Sequence, residues 1–486
     1  MTASTSPDAI TPDLALTPAP EIARLFAAQQ ANRWRIAQST AAERAAKLAR
    51  LGAAIAARRE EIAVAAFADF RKPAAEVEIT EIHPTLAEVR FARRKVAGWM
   101  RPRRVPTPLL LFGTASEVRC EPRGVVLIVA PWNYAFSLCM APLVAAIAAG
   151  NCAILKPSEK TPHTSAFLKR FVADLFDGSE VAVVEGGPEA AQALLALPFD
   201  HVCFTGGTRI GRVVMAAAAQ HLSSVTLELG GKSPAFVDET ADVGAAADSI
   251  VWGTFLNAGQ TCVAPDYVLV HASRAAEFVA AAKRSLEARY GPAGPPRAET
   301  SDYCRIVDDA HHRRLADALA RTVAGGAVLE VGGESDPASR YLAPTVVSNV
   351  TFDAPLMDEE IFGPVLPILT YTDLDDALAR SRALGKPLAL YIFSARRATV
   401  EHILANTTAG GTVVNATMTH YGNPHLPFGG VGASGQGSYH GFFGFRTFSH
   451  ERAVLHQRWP RLAHFLYPPY RGALHALTRR VLRMLE

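Results

Sequence analysis

The chain has 486 residues, 49% of them apolar and 20% charged, with 49 Lys and Arg against 46 Asp and Glu for a formal charge of +3. At about 150 residues per domain this is roughly three modules, enough to bury a large core and leave clefts between modules. So balanced a charge offers no general attraction for nucleic acid or an anionic membrane, and six scattered cysteines exclude a disulfide scaffold.

Residues 1–20 are rich in Ser, Thr, Pro, Ala and Asp, with no basic start and no hydrophobic run. They read as a flexible leader, not a secretory signal. From about 21 to 100, apolar and charged residues segregate at helical spacing, as in 45–51 and on through Ile55, Ile62 and Phe67. Pro102, Pro106 and Pro108 break that region. The rhythm then changes to short runs rich in Val and Ile at 125–130, 153–155, 181–184, 201–204 and 225–229. They start about 20–30 residues apart, the spacing of successive βα units, which predicts a parallel sheet with helices on both faces. The near-apolar stretch 135–149 contains Ser137 and Pro142 and is too short to span a bilayer. A second alternating series, 234–237, 267–271, 365–370, 388–393 and 412–414, predicts a second α/β domain with helices at 275–288 and 375–384. Together these features predict a soluble, reduced, cytoplasmic protein.

Ligands of parallel sheets bind beyond the carboxyl ends of the strands. There the sequence places Pro131-Trp132-Asn133, Lys156-Pro157-Ser158-Glu159, Thr205-Gly206-Gly207 and Glu228-Leu229-Gly230-Gly231. Gly206 to Gly211 is G-x-x-x-x-G at a strand-to-helix turn, but Arg212 and Val213 stand where a Walker loop needs Lys and Ser or Thr. Its amides suit a pyrophosphate or simply a tight turn. Cys139, Cys152 and Cys203 sit among apolar residues as core fillers, and neither Cys120 nor Cys304 has a base beside it. Cys262 follows Gly-Gln-Thr in a loop, as a nucleophile or as an inert loop thiol. Glu228, at the end of an apolar run, is a general base of raised pKa or a structural partner. Lys156 is an ion-pair residue or a holder of cofactor hydroxyls. Asn133 is an oxyanion donor or a helix cap. No pair of cysteines has C-x-x-C spacing, so no metal site is predicted.

These segments carry a pattern. From about 25 to 457 the chain resembles the aldehyde dehydrogenase superfamily through the four strand-end segments above, the stretch 204–211 continued at 227–234, Gly259-Gln260-Thr261-Cys262, and Glu359-Glu360-Ile361-Phe362-Gly363-Pro364. The stretches 259–267 and 426–432, with 437–441 and 447–450, are similar to the class 3 branch, which includes fatty-aldehyde and aromatic-aldehyde dehydrogenases. The resemblance implies two doubly wound α/β domains and a small β oligomerisation element. An NAD(P)-binding domain would occupy 21–104 and 124–228, and a catalytic domain 229–430. An arm at 105–123 and a strand within 431–460 would pair two subunits into a homodimer.

In mechanism, the resemblance makes Cys262 the thiolate that attacks an aldehyde, Asn133 and the Cys262 N–H the oxyanion site, and Glu228 the base that activates water against the thioester. Lys156 and Glu159 would hold the adenosine ribose, and Gly206, Thr208 and Gly211 would lie along the pyrophosphate. Glu360 would hold the nicotinamide ribose with Phe362 packed nearby. Tyr134 and Trp252 would line an aldehyde tunnel suited to medium- or long-chain aliphatic or aromatic substrates. Glu159 should repel a 2′-phosphate and favour NAD, although class 3 enzymes often accept NADP. Acylating, coenzyme A-using relatives tend to lack the glutamate represented by Glu228; a non-catalytic nucleotide-binding relative usually loses the thiol or the base. The tail 461–486 places Leu474, Leu477, Val481 and Leu485 on one helical face beside several arginines. Peripheral contact with the inner face of a membrane is one reading, and packing on this or a partner subunit is the simpler one.

Overall fold

The computed structural model describes residues 16–292, 294–458, 467–468 and 471–485. The first 15 residues of the expected leader lie outside these, as do the side chains of Leu474, Val481 and Leu485 on the C-terminal helix Ala473–Leu485.

The described residues form eighteen strands. They are β1 (Arg103–Val105), β2 (Thr114–Pro122), β3 (Val125–Val129), β4 (Cys152–Lys156), β5 (Val181–Val183), β6 (His201–Thr205), β7 (Ser224–Glu228), β8 (Pro234–Val237), β9 (Tyr267–His271), β10 (Val328–Val331), β11 (Ser335–Asp336), β12 (Tyr341–Leu342), β13 (Thr345–Ser348), β14 (Val365–Tyr371), β15 (Ala389–Phe393), β16 (Gly411–Val414), β17 (Gly435–Gln436) and β18 (Ser449–Gln457).

Strands β3 to β7 are parallel in the order β5-β4-β3-β6-β7, with β17 antiparallel at the edge. Val-Val-Leu-Ile-Val in β3 is buried on both faces by helices, as a central parallel strand must be. The chain runs outward from β3 to β5 and then returns to place β6 on the other side of β3. That reversal opens a crevice beyond the ends of β3 and β6. The second sheet has the order β10-β13-β14-β9-β8-β15-β16, parallel except for β10. Each sheet is doubly wound, as the two alternating series predict. A third, antiparallel sheet of order β1-β2-β18 stands apart, with nine residue pairs joining β2 to β18.

Three details differ from expectation. A helix, Ala19–Ala37, begins inside the expected leader, because Pro18 and Pro20 fix the backbone at its N-terminus where no amide is needed. Thr17 is also tied to Glu185 through two hydrogen bonds, so the ordered chain starts before residue 20. Residues 435–436, expected in the oligomerisation element, pair with Glu228 and Leu227 and extend the first sheet. The helical region before residue 100 contains a π-helical turn, Glu78–Ile82, which the periodicity does not reveal.

Candidate active site

Strand ends deliver the site. β3 leads to Pro131-Trp132-Asn133, while β6 and β7 end side by side with Thr205 paired to Glu228. From the second domain, helix Val243–Phe255 runs into a turn where Asn257, Ala258 and Gly259 all take left-handed backbone conformations, with φ of 55°, 50° and 73°. Two such residues with a Cβ cost about 1–3 kcal/mol each unless their surroundings hold them. Here they are held. The Asn257 amide donates to the carbonyls of Asn133 (2.9 Å) and Gln260 (3.1 Å), and its backbone N–H donates to Glu76 (3.1 Å). The buried Gln260 side chain bonds the backbone of Asn257, Arg305 and Val307. Asn133 Nδ2 donates to the Gln260 carbonyl at 3.0 Å. Cys262 follows this fixed loop, half-buried. Gly259 is required there: a Cβ would stand 2.1 Å from the Gly363 carbonyl oxygen.

Asn133 does not cap the helix that follows it. Glu81 accepts the Phe136 and Ser137 amides instead, at 2.9 and 3.2 Å.

Burial governs the charges. Glu228 is 3% exposed and neither carboxyl oxygen has a hydrogen-bond partner, so desolvation holds its pKa well above the usual carboxylate range. Burial also pushes the Cys262 thiol up, with the nearby Glu360 and Glu228 adding to it. Glu360 is raised to about 8 by burial and then by Asp266, against the Gly231 N–H and Lys232. Glu76 is raised to about 7, chiefly by burial.

Two chambers meet at these groups. One, of about 810 Å³, is lined almost wholly by apolar surface, including Leu138, Trp252, Leu256, Val263, Met418 and Phe428. The other, of about 1320 Å³, runs past Trp132, Gly206–Arg209 and the loop at 359–362. Thr205, Glu228 and Cys262 line both. Tyr134 and Trp252 line the apolar chamber as expected, and the Tyr134 hydroxyl contacts that of Thr261 at 2.5 Å.

Of the residues expected to hold a dinucleotide, Gly206, Thr208, Glu360 and Phe362 line the polar cleft with Asn133. Helix Thr208–Gln220 opens there without a side-chain cap, which leaves its first amides available to an anion. A Cβ on Gly230 would stand 1.8 Å from a Glu360 oxygen, so that glycine admits the carboxyl. Phe362 packs edge-on to Trp132, with centroids 5.4 Å apart. Lys156 and Glu159 stand off the cleft lining, paired at 3.2 Å beyond β4. Gly211 is buried for packing: a Cβ there would meet Leu229 Cδ2 at 2.7 Å. The residues lining the cleft therefore fit a dinucleotide.

Sequence reasoning gave no role to Asn257, the Lys232–Asp266 pair (2.5 Å) or Arg314. Lys232 donates to the Leu356 and Glu359 carbonyls, Asp266 accepts the Ile361 N–H, and Arg314 bonds Glu359 and the Ile361 carbonyl. Together they fix the loop that carries Glu360. Their partners lie too far along the chain for local spacing to signal them.

Fold and site together define a two-domain α/β enzyme with its thiol between an apolar tunnel and a nucleotide-type cleft. The chain belongs to the aldehyde dehydrogenase family, whose model matches residues 15–454. It is 44% identical to 4,4'-diaponeurosporen-aldehyde dehydrogenase of Staphylococcus aureus over 88% of this chain and 92% of that one. It is 42% identical to human aldehyde dehydrogenase family 3 member B1 over 88% and 90%, and the family 3 relatives make it class 3-like. A solved structure described as the substrate-bound state of Staphylococcus aureus AldH superposes with a TM-score of 0.90 at 42% identity, covering 95% of this chain and 99% of that one. An NAD-dependent aldehyde dehydrogenase from Sinorhizobium meliloti superposes at 0.84 with 30% identity, over 94% and 90%. Among the described residues no helix is long and apolar enough to cross a membrane.

Proposed function

We propose that the chain oxidises aldehydes bearing a medium or long aliphatic tail, or an aromatic one, to carboxylic acids. The observation that carries this is the pair of chambers whose common wall includes Cys262 and Glu228. An apolar tail fills the tunnel and leaves its carbonyl at the thiol. The Staphylococcus aureus relative is named for 4,4'-diaponeurosporen-aldehyde, which supports an aldehyde substrate for this chain.

Cys262 Sγ adds to the carbonyl carbon as thiolate, and the oxyanion is held by the Asn133 amide and the Cys262 N–H. NAD(P), when bound in the cleft, supplies the hydride acceptor. The acyl group then stands on Cys262 as a thioester. Glu228 takes a proton from the water that attacks it, and the acid leaves as the thiol is restored. Glu159, beyond β4 and paired with Lys156, would disfavour the extra phosphate of NADP if the adenosine ribose lies beside it, which supports NAD. We also propose a homodimer: β18 is a nine-residue edge strand with Leu455 exposed, a surface that proteins seldom leave unpaired.

Reduced-cofactor absorbance with acetaldehyde, hexanal, dodecanal, benzaldehyde and a cinnamyl-type aldehyde, each with NAD and with NADP, tests the reading. The expected result is a kcat/KM that rises from acetaldehyde to the apolar aldehydes, and NAD preferred to NADP. A flat profile across the panel would contradict the tunnel assignment.

A further inference from the structure

The chemistry above leaves one buried charged pair without a role. Lys72 is fully buried and Glu81 is 2% exposed, with Lys72 Nζ 2.7 Å from Glu81 Oε1. Glu81 lies within the π-helical turn Glu78–Ile82, whose Ile79 and Thr80 line the tunnel. The other Glu81 oxygen accepts the N–H groups of Phe136 and Ser137. Lys72 Nζ donates to the Asn133 carbonyl at 3.4 Å and stands 3.9 Å from the centroid of the Tyr134 ring. The pair thus grips the turn 133–137 from one side. From the other side the nucleophile loop grips it, through Asn257 Nδ2 on the Asn133 carbonyl and Asn133 Nδ2 on the Gln260 carbonyl.

A buried ion pair is a weak source of net stability, because desolvation offsets most of its attraction. What it does supply is direction. Its bonds converge on the few residues that set where the Asn133 amide points.

We propose that Lys72 and Glu81 are positioning residues for the oxyanion site, holding the turn 133–137 so that the Asn133 amide meets the carbonyl oxygen as Cys262 adds. This rests on the reading of Cys262 and Asn133 given above. Neither Lys72 nor Glu81 lines the tunnel or the cleft, so both act through Asn133 and not on substrate.

The test is a cycle in the full chain. Lys72→Met, and the double substitution Lys72→Met with Glu81→Gln, are each made in the wild-type and the Asn133→Ala backgrounds. Two rates are read: hexanal oxidation with NAD, and acylation of Cys262 by p-nitrophenyl acetate, which forms a comparable oxyanion without cofactor. A catalytic group displaced by an ångström costs about 100-fold, so both rates should fall roughly 10- to 100-fold, with KM for hexanal changed less than about threefold. In the Asn133→Ala background the same substitutions should cost less than about threefold, because the group they position is gone. The same loss in both backgrounds, or no loss in the wild-type background, overturns the proposal. Should Lys72→Met alone fail to fold around an unpaired Glu81, the double variant removes both charges and still reads the outcome. If Asn133→Ala by itself leaves both rates unchanged, the oxyanion reading fails and the proposal fails with it, a result distinct from equal losses in the two backgrounds.

Discussion

At the scale of single residues, the site depends on groups whose ionised forms burial disfavours. Glu228 has no partner for either oxygen, and desolvation is the cause of its raised pKa. A base works in its ionised form, so thioester hydrolysis should slow as the pH falls and quicken as it rises, at a pH above the usual carboxylate range. In Glu228→Gln the acyl-enzyme should accumulate: about one equivalent of reduced cofactor per active site appears rapidly, then steady-state turnover proceeds roughly 100- to 10,000-fold slower. Stopped-flow absorbance reads both phases, and a variant that keeps wild-type turnover would remove Glu228 from the mechanism. The positions of Cys262, in its Gly-Gln-Thr loop, and of Glu228, at the end of an apolar run, were legible beforehand, but local sequence left their roles open and only the family resemblance assigned them. Lys72 and Glu81 were not legible, because nothing in their neighbourhood announces that they meet the chain again at 133–137.

At the scale of elements, regular strands were readable and exceptions to regularity were not. β3 and β9 are runs of Val, Ile, Leu and Tyr that could be little else. The first turn of the helix Ala19–Ala37 was obscured because prolines that start helices look, in a Ser- and Thr-rich stretch, like those of a flexible leader. The π-turn at 78–82 is a single turn between helical segments, too short for a periodicity read over many residues to find. The seating of helix Thr208–Gln220 on the first sheet shows how an element serves the site. Gly211 lets that helix approach Leu229, and the same helix opens at the cleft. Gly211→Ala should therefore lower stability by about 1–3 kcal/mol through overpacking, seen as a lower urea midpoint, and raise KM for NAD more than KM for the aldehyde. An unchanged midpoint would mean that Leu229 yields freely and that the glycine has no packing role.

At the scale of the whole molecule, two α/β domains bring together groups that neither holds alone. The first contributes Asn133 and Glu228, the second Cys262 and Glu360, and the thiol stands where an apolar tunnel and a polar cleft join. In the homodimer proposed above, the β1-β2-β18 sheet would be the surface that meets the second copy. Sedimentation at micromolar concentration should give twice the chain mass of 52.0 kDa, and substituting Pro for Ala453 in β18 should yield monomers; a wild-type monomer would leave that edge without a partner. The most direct test of the central claim is the covalent state of Cys262. Glu228→Gln is mixed with hexanal and NAD, quenched in acid, digested and weighed by mass spectrometry. The account predicts a hexanoyl group on the peptide containing Cys262, formed with one equivalent of reduced cofactor and absent when Cys262→Ala is added. An acyl group on another cysteine, or aldehyde oxidation that persists in Cys262→Ala, would contradict it.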